Sequence, residues 1–164
     1  MNSDIKKLVI KIKCELEKEP SNITFAKISS VSDKVNRDFI EVAYADFLNI
    51  CDGIRCGVID LFGTNYILDS QYKAEYIDGG REQWFCIGQI LCYHTLAIDS
   101  HTRDVYLFYD SYFYEGLRTE SSRVNLGSFD NFLKDFVFGK RYAELVLDVE
   151  NDKWYTFLKG INLI

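Results

Sequence analysis

Residues 91–110 read LCYHTLAIDSHTRDVYLFYD, two runs of apolar, β-branched and aromatic residues separated by Ser100-His101-Thr102-Arg103. The period on either side is two, which predicts strands over 91–99 and 104–110 joined by a hairpin turn. Cys92, His94, Leu96 and Ile98 share one face, and Val105, Leu107 and Tyr109 share a face opposite them. A connection this short forces antiparallel pairing, because parallel strands need a long crossover. Working outward, short strands are expected at 57–62, 66–68 and 84–87, with one edge strand at 123–126. The polar, acidic stretch 69–83, with Gly79-Gly80 inside it, reads as a mobile loop.

Helical spacing takes over at both ends. Ile5, Leu8, Val9, Ile12 and Leu16 predict an amphipathic helix over 3–18, with Ser3 as its N-cap and Pro20 just beyond it. Residues 20–38 read as a long connection. Ile40, Ala43, Tyr44, Phe47, Leu48 and Cys51 form one apolar stripe of a helix over 39–51, closed at Asp52-Gly53. Ser128 caps a third helix, whose stripe is Phe129, Phe132, Leu133, Phe136 and Val137, ending near Gly139. Residues 141–149 fit helix or strand. The stretch 152–161 packs Trp154, Phe157, Leu158 and Ile161 as a last helix. The order predicts one α+β domain over 1–164, a central antiparallel sheet flanked by N- and C-terminal helices.

The composition fits a folded globular chain: 164 residues, 48% hydrophobic and 27% charged. No apolar run reaches the ~20 residues of a membrane helix, and the lysine-rich N-terminus lacks a signal-peptide pattern. Five cysteines without a C-x-x-C pair suit buried thiols in a reducing compartment, so a cytoplasmic protein is expected. The net charge of −6 disfavours direct nucleic-acid binding. Residues 51–116 carry four basic and ten acidic groups and so hold the whole excess, whereas both flanks balance. An acidic, tyrosine-rich segment attracts a basic partner, or else merely keeps the chain soluble.

Enzymatic chemistry finds little support. Cys51-x4-Cys56 and Cys86-x5-Cys92-x-His94 lack zinc-knuckle spacing, and Cys51 and Cys92 fall on predicted core faces. Cys86, His94 and Asp99 supply the residue types of a nucleophilic group, but no elbow or helix start would lower a thiol pKa there. Asp99, Asp104 and Asp110 bracket the hairpin, where aspartate commonly serves the turn itself. Gly79-Gly80 lacks a phosphate-loop frame. No catalytic residue, metal or cofactor is expected.

Tyr44-x2-Phe47-Leu48-x3-Asp52-Gly53, then Phe62-Gly63, then Ile87-Gly88 stand in order along the chain. Ala97-Ile98-Asp99, Val105-Tyr106 and Ser128-Phe129-x2-Phe132-Leu133 follow. Over about 39–138 this resembles the SUKH superfamily, with Asp52 where asparagine is commoner and no proline opening the second helix. The resemblance implies an α+β domain whose usual bacterial role is immunity, binding a polymorphic toxin domain, often a nuclease, and blocking it. Fungal relatives are regulatory scaffolds in cell-wall synthesis, which is the alternative reading; a cysteine-dependent enzyme is a third. The implied partner is a cognate protein toxin, met by a monomer or weak homodimer without membrane or nucleic acid. The candidate contacts are Glu75, Tyr76, Asp78, Glu82 and Trp84, with Asp110, Tyr112, Tyr114 and Glu115 after the hairpin.

Overall fold

The computed structural model describes residues 2–31, 40–109 and 123–164. Seven strands form one antiparallel sheet in strict chain order: β1 (Ala26–Ile28), β2 (Ile54–Cys56), β3 (Ile59–Leu61), β4 (Trp84–Ile90), β5 (His94–Asp99), β6 (Asp104–Phe108) and β7 (Arg123–Ser128). The expected hairpin is there, with Leu96 opposite Leu107 and Ile98 opposite Val105. Two of the seven, β1 and β2, do not follow from the sequence pattern, because three residues with one charged side chain each give too little alternation to mark a strand.

Helix α1 (Ser3–Glu17) buries Ile5, Val9, Ile12 and Leu16; Asn2, not Ser3, caps it, accepting the Asp4 amide. Helix α2 (Val42–Leu48) buries Tyr44, Phe47 and Leu48, with Cys51 following on the same side. It starts where the Glu41 carboxylate accepts the amides of Ala43 and Tyr44, and that carboxylate also takes Arg103 from the β5–β6 turn at 2.6 Å. It ends before Gly53, whose φ of +88° serves the turn into β2 instead of the helix cap.

The third predicted helix starts at Ser128, as read, with α5 (Phe129–Asn131). It then widens to a π turn over Phe132–Val137, where the Phe138 amide reaches back to Leu133. The wide winding lets Phe132, Leu133, Phe136, Val137 and Phe138 all bury. The ambiguous 141–149 region contains short 3₁₀ turns, and α6 (Lys153–Gly160) packs Trp154 and Leu158 inward.

One face of the sheet and these helices enclose the main core. The opposite face divides in two. Toward the C-terminal strands, Trp84, Cys86, Ala97 and Phe108 form a second apolar cluster together with Ala74 and Ile77. Toward the N-terminal strands it carries the polar row Lys27, Arg55, Asp60 and Gln89. Among the described residues no helix is long and apolar enough to cross a membrane.

Candidate functional site

The segment 64–83 is not an open loop. It folds into α3 (Thr64–Ile67), a 3₁₀ run over Asp69–Tyr76 and α4 (Gly80–Gln83). The strand expected at 66–68 is therefore a helical turn. Its cause is Asp52, whose carboxylate accepts the Thr64 amide at 2.6 Å and the Thr64 hydroxyl at 3.1 Å, a cap supplied from twelve residues upstream.

Two devices tie the segment to the sheet. Ala74 and Ile77 bury completely or nearly so in the second cluster. Gln71 bonds both the amide and the carbonyl of Cys86, at 3.0 and 2.8 Å, and so mimics a passing strand. Gly79 and Gly80, both at positive φ, make the corner between the two halves.

Of the predicted contacts, Glu75, Tyr76, Asp78 and Glu82 are all exposed on this one segment, and Glu75 pairs with Arg81 at 2.6 Å. Trp84 corrects the expectation. It is 1% exposed, donates its indole N–H to the Asp78 carbonyl at 2.7 Å, and meets Tyr106 and Phe108 edge-on at 5.3 and 4.9 Å. It anchors the segment from beneath and offers a partner no surface. Asp110, Tyr112, Tyr114 and Glu115 lie outside the described residues.

Residues that sequence reasoning missed enlarge the same surface. Tyr66, Leu68 and Tyr72 are 70%, 45% and 52% exposed and join the expected Tyr76, at 58%. The i, i+4 spacing of Tyr72 and Tyr76 in an acidic context was the available signal. Rings left in water beside Asp69, Glu75, Asp78 and Glu82 give a surface with aromatic anchors and carboxylates around them.

The nucleophilic group does not assemble. His94 and Asp99 are the two ends of β5, about 16 Å apart at the rise of a strand, and Cys86 is buried opposite Ala97. Cys92, expected on a core face, is exposed in the turn between β4 and β5, where Ile90 pairs with His94 and Leu91 and Cys92 adopt positive φ. Burial pushes the Cys51 thiol up to about 12 and the Cys56 thiol well above its ordinary value. Neither is a thiolate at neutral pH. Among the described residues no three His, Cys, Asp or Glu side chains gather as a metal set.

Asp99 serves the turn. Burial pushes its carboxyl up, but hydrogen bonds from Gln83 and from the amides of His101 and Thr102, with His101 nearby, together hold it below the usual carboxylate range. A depressed folded pKa stabilises the fold above the unfolded value of about 4 and ceases to do so as pH falls through the folded pKa. Asp99→Asn is therefore expected to destabilise most near neutral pH and progressively less below about pH 4. Urea unfolding of both proteins across that range checks it; a pH-independent difference would rule the linkage out.

Comparison with protein families, with characterised proteins and with solved structures returned no match. What fold and site define is a class: an α+β protein on a seven-stranded antiparallel meander, with an acidic, tyrosine-bearing segment fixed to one face of its sheet.

Proposed function

We propose that the protein is an immunity-type inhibitor, cytoplasmic and non-enzymatic, which binds a basic cognate toxin domain through the surface of residues 64–83. The observation that carries this reading is the exposure of Tyr66, Tyr72 and Tyr76 among Asp69, Glu75, Asp78 and Glu82 on an anchored segment. Anchoring matters because a surface already ordered loses little conformational entropy on binding. Tyrosines supply contact area at low entropic cost, while the carboxylates speed encounter with a cationic cleft and set its orientation. A nuclease presents such a cleft to nucleic acid, and an acidic inhibitor occupies it by imitating that charge.

The test is binding to toxin candidates encoded beside this reading frame, measured with the protein and with a Glu75→Lys, Asp78→Lys, Glu82→Lys variant. The expected result is a tight one-to-one complex that weakens about 100-fold or more in the variant, chiefly through slower association at low salt. A complex whose affinity and salt dependence are unchanged in the variant would place the interface elsewhere. Failure with every neighbour, together with recovery of endogenous enzymes, would favour the scaffold role.

A further inference from the structure

The acidic surface ends in a corner that its own sequence cannot hold. Helix α4 (Gly80–Gln83) is a single turn that buries no side chain, and Gly79 and Gly80 at its start both have positive φ. One turn is too short to be stable alone, and glycine loses more backbone freedom on ordering than any other residue. Yet this corner carries Asp78 and Glu82, two of the carboxylates on which the proposed surface depends.

The turn between β5 and β6 supplies what is missing. The Ser100 amide donates to the Gln83 carbonyl at 2.8 Å, and the Ser100 hydroxyl donates to the Glu82 carbonyl at 3.0 Å. Both acceptors are last-turn carbonyls of α4, the groups that a helix end leaves open. The Gln83 side chain lies across the Gly79 backbone, so close that a Cβ on Gly79 would collide with Oε1. Its Nε2 donates to the Asp99 carboxylate at 3.0 Å, so one carboxamide spans from the glycine corner to the hairpin. The hairpin turn is itself fixed. The other Asp99 oxygen accepts the amides of His101 and Thr102, and Arg103 reaches Glu41 Oε1 at 2.6 Å while Glu41 Oε2 caps α2.

We infer that Gln83 and Ser100 are positioning residues of the recognition surface, acting through Asp78 and Glu82, whose carboxylates they hold in place for a cationic partner. The inference rests on the reading of 64–83 as the interface. It has a kinetic signature. Long-range attraction depends on the charges more than on their exact placement, whereas the docked complex depends on both. Loosening the corner should therefore appear in dissociation, unlike the charge reversals, which slow association.

Amide hydrogen exchange of the free full chain, and binding kinetics with whichever neighbouring toxin domain binds the wild type, test it in Ser100→Ala, Gln83→Ala and Ser100→Thr. The two alanine variants are each expected to speed exchange over 79–83 about fivefold or more, with the amides of β4, β5 and β6 within about twofold. Dissociation should accelerate about fivefold or more and association stay within about twofold. Ser100→Thr keeps the hydroxyl and should behave as the wild type. Unchanged exchange over 79–83 would remove the latch, and equal acceleration across the whole sheet would make these bonds a matter of global stability only. Slower association with unchanged dissociation would tie their effect to charge instead of position, so each of the three overturns the inference. If the wild type binds none of the candidates while exchange behaves as expected, the toxin reading falls and the latch on the corner stands.

Discussion

Trp84→Ala is expected to destabilise the protein by about 3–5 kcal/mol, the range for removing a large buried aromatic. Its indole N–H holds the Asp78 carbonyl, and its ring fills the space between Ala74 and Ile77 above and Cys86, Ala97 and Phe108 in the sheet. Among the described residues the cluster contains six buried members, so loss of its largest leaves the segment 69–83 with little apolar attachment there. Release of that segment should therefore accompany the loss of stability. Limited proteolysis should move the first cleavage into 69–83, and denaturant unfolding should give the free-energy change. Tyr76→Ala, which removes an exposed ring from the same segment, should stay within about 0.5 kcal/mol and leave the cleavage pattern unchanged. Equal effects of the two substitutions would show that Trp84 is not the anchor.

The contrast between Trp84 and Tyr76 marks where the sequence could and could not be read. The hairpin 94–108, the stripe of α2, the Ser128 cap and the terminal helices follow from local periodicity and capping chemistry, and they fold as read. Residues 64–83 do not follow, because their structure is decided by distant groups. Asp52 caps Thr64, Gln71 reaches Cys86, and Trp84 reaches Asp78, all contacts that a local pattern cannot contain. The same holds for exposure. Glu75, Asp78 and Glu82 could be placed in water by charge alone, whereas an aromatic ring is at home in a core or at an interface. Only the packing shows that Trp84 is core and that Tyr66 and Tyr72 are surface.

Gly53→Val is expected to cost about 2–5 kcal/mol, since it adds left-handed strain to overpacking. Gly53 has φ +88°, and a Cβ there would stand 2.8 Å from both the Gly63 amide nitrogen and the Leu61 carbonyl oxygen. Gly80→Ala is the control: its φ is also positive, +55°, but a Cβ there meets open space, so only the backbone term of about 1 kcal/mol should appear. Around Gly53 the separate motif segments close into one node. The Tyr44 hydroxyl lies 2.7 Å from the Phe62 carbonyl and 2.9 Å from that of Ile87, and Asp52 holds Thr64 beside Gly63. Tyr44→Phe strands buried carbonyl capacity at this node and should cost about 1–3 kcal/mol. If Gly53→Val proves no worse than Gly80→Ala in chemical unfolding, the node is loose and this explanation of the motif fails. If the predicted order holds, the motif residues Tyr44, Asp52, Gly53 and Gly63 join α2, β3 and β4. On the proposed reading the tyrosines and carboxylates of 64–83 are the complementary case: exposed, so that substitutions there should change binding and leave stability nearly untouched.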